Sequence, residues 1–207
     1  MRLALPSLTR TRRLPAAIFI AAFVAALYLL PMHIRLVPPR PLLPTTLDRA
    51  IPFLDWTIWI YCSYGIFLLL PFAVCRDDRR AARALYALMA NSIVAGLIFV
   101  AWPTSGVTQQ PTLEGVSGFL WTALLAVDRP ANYLPSLHVA NACICGFVVG
   151  REPNAWRYVG PVWALLIVVS TLTTKQHFVV DLPAGAALAG LSVWLVHKGV
   201  RVETGRS

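Results

Sequence analysis

The stretch LPAAIFIAAFVAALYLL, residues 14–30, is seventeen residues long and carries no charge. A bilayer's hydrocarbon core is about 30 Å thick, and about 20 predominantly apolar residues of helix cross it. The stretch therefore predicts a membrane span. Arg12 and Arg13 precede it, as they would in a secretory leader. Its apolar run is long for a leader and no polar cleavage region follows, so it reads as a retained signal anchor.

The same test, carried outward, predicts five more spans, at 56–75, 84–102, 138–150, 155–173 and 178–197. The fourth reaches only about two-thirds of the usual length. A further apolar stretch, 118–127, is too short to span and is expected to lie along the surface. Composition agrees. Of 207 residues, 57% are hydrophobic and only 13% are charged, with a mean hydropathy of +0.66. Soluble domains carry about 25% charged residues, so a soluble domain is excluded, and so is intrinsic disorder. Four cysteines are too few for a disulfide scaffold. The expectation is an all-α polytopic membrane protein, a six-transmembrane-helix bundle forming a single domain over residues 1–207. Residues 1–13 and 198–207 would be cytoplasmic tails, and 31–55 and 103–137 outer loops.

The chain has 18 Lys and Arg against 9 Asp and Glu, a balance that resembles a nucleic-acid binder's. Placement excludes that reading. With six spans both termini share a side, and that side holds 13 of the 18 basic residues against four acids. The other side holds five of each. The entire basic excess follows the positive-inside rule, so no nucleic acid is expected and the termini are assigned to the cytoplasm. The 31–55 loop contains Pro31, Pro38, Pro39, Pro41, Pro44 and Pro52, so it cannot be one helix. Long irregular backbone on the outer face marks where function is expected.

Ionisable residues at the ends of spans are costly and are functional candidates by default. Arg129, His138, Lys175, His177 and Asp181 all fall at the expected outer mouth of the bundle. His177 and Asp181 are four apart and share a helix face. A carboxylate so placed fixes one imidazole nitrogen and leaves the other free as a nucleophile. His138 follows Pro135, Ser136 and Leu137 and can donate a proton to a leaving oxygen. Arg129 and Lys175 supply the positive charge that a phosphoryl group requires. Ser136 can cap the helix or hold a phosphate oxygen. Two histidines and one aspartate are also a possible zinc set, but the neighbouring cations oppose a metal, and no metal or other cofactor is expected.

These residues resemble the three motifs of the type 2 phosphatidic acid phosphatase superfamily: Arg129-Pro130, Pro135-Ser136-Leu137-His138, and Ser170 with His177 and Asp181. The wording of 135–140 and 170–185 is most similar to the branch of the inositol phosphorylceramide synthases and, more distantly, the sphingomyelin synthases. The resemblance covers 128–185. It implies a metal-independent site at the outer, periplasmic face of a bacterial cytoplasmic membrane. There His177 attacks phosphorus, Asp181 orients it and His138 protonates the leaving alkoxide. Arg129, Ser136, Ser170 and Lys175 hold the phosphate. A phospholipid or lipid phosphate is the implied substrate, and water or a lipid hydroxyl the acceptor. Two standard cations are missing, since Thr122 and Thr171 stand at their places. Lys175 stands where it can substitute for one of them, and the reduced charge favours a phosphodiester over a monoester. The rival readings are a lipid phosphate or polyprenyl diphosphate phosphatase, and a non-catalytic carrier or binding protein for anionic lipids. A carrier would place charge near mid-membrane and often shows repeats, neither of which is visible here.

Cys143 and Cys145 have the wrong spacing for a redox or zinc motif and read as buried structural residues. His33 has no visible partner in the sequence. The small residues from Ala184 to Gly190 predict close helix packing.

Overall fold

A computed structural model describes residues 2–34, 36–106, 115–128 and 131–203. Four helices are long and apolar enough to cross a membrane. Helix α1 (Arg10–His33) forms the first, about a turn longer than expected at each end, with Pro31 inside its last turn. The second runs from Asp55 to Val74, and the Ser63 N–H to Trp59 and Phe67 N–H to Ser63 bonds, at 3.0 and 2.9 Å, carry it through its middle. A 3-10 turn (Asp55–Thr57) leads into a short α3 (Ile58–Cys62), and α4 (Tyr64–Val74) resumes after Ser63. Helix α5 (Asp78–Ala101) is 24 residues long, about 36 Å at 1.5 Å per residue. It starts where the Asp77 carboxylate accepts the Arg79 N–H at 2.8 Å, an N-cap. Helix α8 (Trp156–Thr173) is the fourth.

The remaining expected spans differ in kind. Helix α7 (Leu137–Val149) has 13 residues, too few to cross alone. It is the central helix, packed on α4, α5, α8 and α9 (Asp181–Gly199). A helix sheathed in protein need not match the lipid thickness, because its ends meet side chains and loops rather than hydrocarbon. Helix α9 is long enough at 19 residues, but its Gly, Ser, His and Lys content leaves it outside the four most apolar helices. Pro183 sits in its first turn, where no N–H is needed. The 118–127 stretch forms α6 (Gly115–Val127), which buries Trp121 against Ile58 and Tyr61.

Close packing sets the spacing of the central helices. At Gly185 of α9, a Cβ would lie 2.6 Å from the Ser136 carbonyl oxygen and 3.1 Å from Val139 Cβ. The backbone therefore approaches α7 as only glycine allows. Gly190 has open space around it, so only part of the small-residue run works as expected.

Each end of the bundle is tied. At one end β1 (Leu3–Pro6) pairs in parallel with β4 (Val200–Glu203), bringing the two ends of the chain together. Arg13 bonds Asp78 at 2.8 Å, and Arg80 bonds the buried Glu152 at the same end. At the other end β2 (Arg40–Leu42) pairs with β3 (Thr104–Gly106), and Ser105 bridges to Ala131. A five-residue helix, α2 (Thr46–Ala50), lies in the first of these loops. Its capping box is complete: Thr45 Oγ1 accepts the Asp48 N–H at 3.2 Å, and Asp48 Oδ2 accepts the Thr45 N–H at 2.8 Å.

Candidate active site

Asp181 opens α9 and is fully buried. Its Oδ2 accepts the Phe178 N–H at 2.9 Å and lies 3.2 Å from His177 Nδ1. The carboxylate thus holds the imidazole by one nitrogen and leaves Nε2 for other work, although the two residues do not share a helix face as expected, because His177 lies in the bend before α9. Oδ1 of Asp181 is buried with no hydrogen-bond partner among the described residues. Backbone geometry fixes the approach to this pair. The N–H groups of Gln176 and His177 both donate to the Thr171 carbonyl, at 3.1 and 3.0 Å, and fold the end of α8 back toward α9.

His138 enters from the first turn of α7. Ser136 caps that helix, accepting the Val139 N–H at 3.3 Å, so of its two expected roles capping is the one seen. The His138 and His177 rings lie 6.0 Å apart between centroids, a gap that one phosphoryl group can fill. His138 is wedged between Tyr61, stacked at 4.6 Å, and Tyr64, tilted at 4.4 Å. The Tyr61 hydroxyl is 3.5 Å from His138 Nδ1, at the limit of a hydrogen bond. Tyr64 is itself held: its hydroxyl accepts from Asn141 Nδ2 at 2.8 Å, and Asn141 Oδ1 accepts from Asn91 Nδ2 at 2.8 Å. A polar chain through α5, α7 and α4 therefore orients the ring that packs on His138. The sequence reading passed over Tyr61 and Tyr64, although their three-residue spacing puts both on one helix face.

The cations fare differently from expectation. Arg129 lies outside the described residues. Lys175 lines the cavity beside His177 and is anchored to the first outer loop: its ammonium donates to the Asp48 carbonyl at 2.7 Å and to the Ile51 carbonyl. It does so from a left-handed backbone conformation, φ +56°, which costs a non-glycine residue energy. Ser170 is fully buried and donates to the Ile167 carbonyl of its own helix at 2.7 Å. Thr171 likewise donates to Val168 at 2.7 Å, and Thr122 to Gly118 at 2.9 Å. His33 has a local partner after all, the Leu29 carbonyl at 2.9 Å.

Two further groups, absent from the sequence reading, converge here. Asp128 accepts from the Tyr28 hydroxyl at 2.6 Å. Burial lifts its carboxyl above its ordinary value, against the opposing effects of that hydrogen bond and of His177 nearby. Tyr133 meets His177 edge-on at 5.7 Å and stacks on Phe178 at 5.4 Å. Beside His177 opens a cavity of about 420 Å³, lined by Arg49, Phe53, Leu172, Lys175, His177 and Phe178. Among the described residues no group of three His, Cys, Asp or Glu side chains is placed to hold a metal ion.

A paired histidine site of this kind at one end of an apolar helical bundle suits phosphoryl chemistry on an amphiphile. Comparison with curated proteins yields no match. A family model for the PAP2 superfamily matches residues 25–195, most of the chain. The chain belongs to that superfamily, whose members are histidine-dependent phosphatases, and it is an integral membrane enzyme of that broad class.

Proposed function

Taking membership of the PAP2 superfamily as the premise, we propose that the chain is a metal-independent lipid phosphoesterase that works through a phosphohistidine. The observation that carries the reading is the His177–Asp181 contact at 3.2 Å, with the His138 ring 6.0 Å away. Asp181 keeps the His177 proton on Nδ1, so the Nε2 lone pair faces the substrate. That nitrogen attacks phosphorus and the P–O bond to the lipid breaks. His138, donating a proton, releases the leaving group as an alcohol. Water or a lipid hydroxyl, deprotonated by His138, then attacks the phosphohistidine and frees His177.

The acceptor follows from the motif wording. Residues 135–140 and 170–185 read like the inositol phosphorylceramide synthase branch, which supports head-group transfer to a lipid hydroxyl. Six crossings, with both termini cytoplasmic and the histidine pair at the outer face, complete the reading. The pairing of β1 with β4 supports an even number of crossings, and the basic excess at that end supports the orientation. One integral membrane domain then spans 1–207, carrying its outer loops on the catalytic side.

Purified protein in detergent with chelator present should convert one member of a panel of phosphatidic acid, polyprenyl diphosphate, phosphatidylinositol and phosphatidylglycerol. Each is offered with and without ceramide or diacylglycerol, and products are read by mass spectrometry. Phosphate release without an acceptor identifies a hydrolase, and a new phospholipid formed only with acceptor identifies a transferase. His177→Ala should be silent in every arm; wild-type rates in that variant would sink the mechanism.

A further inference from the structure

Among the described residues, which do not include Arg129, few cations stand free beside His177, and one side chain outside the family motifs is placed to add positive charge. Thr122 and Thr171 stand where two cations are usual, and both hydroxyls are spent on helix carbonyls. Lys175 is spent on the Asp48 and Ile51 carbonyls. Arg40 lies over the Trp102 ring at 3.5 Å. Arg49 is different: it is exposed, it lines the cavity beside His177, and its guanidinium has no partner among the described residues.

We propose that Arg49, delivered by the first outer loop, binds the substrate's phosphate, and that Asp48 and Lys175 are positioning residues that hold it there. The inference rests on the phosphoesterase reading above. A guanidinium fork matches two oxygens of a phosphate and keeps its charge at any working pH. The loop that carries it is fastened to the His177 segment from both sides. Lys175 donates to two carbonyls of the loop, while Asp48 Oδ1 accepts the Val179 N–H at 2.7 Å. Asp48 Oδ2 meanwhile accepts from Thr45 Oγ1 at 2.6 Å and keeps α2 wound. Lys175, left-handed in its backbone, lines the same cavity with its ammonium held on the loop carbonyls. Phe53, Leu172 and Phe178 make the rest of the cavity apolar. The site therefore takes a phosphorylated amphiphile, with its charged group at Arg49 and His177 and its chain along the aromatic wall.

Orthovanadate, which mimics a phosphoryl group under attack, tests this without knowledge of the lipid. Its Kd for the detergent-purified full chain is read from the rise in Tm on titration. Wild type should bind and His177→Ala should not. Arg49→Ala should weaken binding about tenfold or more, and Arg49→Lys should recover part of the loss. Asp48→Ala should weaken it similarly, and the Arg49→Ala/Asp48→Ala double variant should be no weaker than Arg49→Ala alone. Unchanged affinity in Arg49→Ala, with His177→Ala still unable to bind, overturns the inference and leaves the function standing. Additive losses in the double variant overturn the positioning role of Asp48. Equal binding by wild type and His177→Ala, or none by either, overturns the phosphoesterase reading and this inference with it.

Discussion

At the scale of single residues the chemistry depends on which proton sits on which nitrogen. Asp181 accepts from both Phe178 N–H and His177 Nδ1, so the proton stays on Nδ1. Both contacts fall on one oxygen, Oδ2, so an asparagine with its oxygen there keeps them and loses only the negative charge, whereas alanine loses the acceptor altogether. Asp181→Ala is therefore expected to lower kcat by on the order of 10³–10⁴-fold, the scale seen when an orienting aspartate is lost elsewhere. Circular dichroism should remain that of the wild type; near-normal turnover would exclude the orienting role. Asp48 shows the same dependence on charge at the loop. Burial opposes its ionised form, but hydrogen bonds from Thr45 and Val179 and the nearby Lys175 charge outweigh it and hold its pKa below the ordinary value. A depressed carboxyl stabilises the fold above its unfolded pKa of about 3.9. That stability is lost as pH falls through the lower, folded value. The Tm gap between wild type and Asp48→Asn should therefore be full near neutrality and close below about pH 4. A gap that widened in acid would refute the assignment.

At the scale of elements, the distance between His138 and His177 is set by how closely α7 and α9 approach. Gly185 sits at that contact, and an added Cβ would lie 2.6 Å from the carbonyl oxygen of Ser136, the residue whose hydroxyl caps the helix carrying His138. Overpacking at such a site costs about 1–3 kcal/mol. Gly185→Ala is expected to lower Tm and to lose kcat by more than the stability change explains, because it moves one histidine relative to the other. Gly190→Ala is the control. It meets open space in the same helix and should stabilise slightly, since alanine is favoured over glycine in a helix by up to about 1 kcal/mol. Equal effects of the two changes would show that the α7–α9 approach does not govern the site. This scale also shows what the sequence could tell. The helices were legible because apolar runs and charge placement are local. The His177–Asp181 pair was legible as a spacing but not in its cause, since His177 lies in the bend before α9 and meets Asp181 through a folded-back segment rather than across a helical turn. The contacts that hold Ser63 were not legible, because one of them is tertiary. Ser63 donates to the Ile60 carbonyl at 2.6 Å and receives the Trp163 indole N–H at 2.8 Å from another helix. Lys175 was misplaced for a related reason. Its charge is visible in the sequence, but its left-handed φ and its pull toward α2 depend on a loop more than a hundred residues away.

At the scale of the whole molecule the two ends of the bundle divide the work. One end is locked by buried or paired charge: Glu152 is almost fully buried and receives both Arg80 and the Arg76 N–H, while Arg13 reaches Asp78 and the Cys75 carbonyl. Breaking a buried ion pair by removing one partner costs about 3–5 kcal/mol, so that end is built for rigidity. The other end is built from loops fastened by single hydrogen bonds and short strands, as a site that admits a lipid requires. The strand pair holds residues 3–6 and 200–203 together at the rigid end. In the orientation proposed above that end is cytoplasmic, and the active end faces outward, toward the lipid head groups of the outer leaflet. Single-cysteine variants of a cysteine-free background test this directly in intact cells. Leu43→Cys, on an exposed side chain of the active end, should react with a membrane-impermeant maleimide. Arg201→Cys, exposed at the rigid end, should react only after the membrane is opened. The reverse pattern would place the histidine pair inside the cell and demand a cytoplasmic substrate. Labelling of both in intact cells would mean that the two ends of the bundle do not lie on opposite sides of the membrane, and that the helices between Leu43 and Arg201 do not cross it the odd number of times that six spans require.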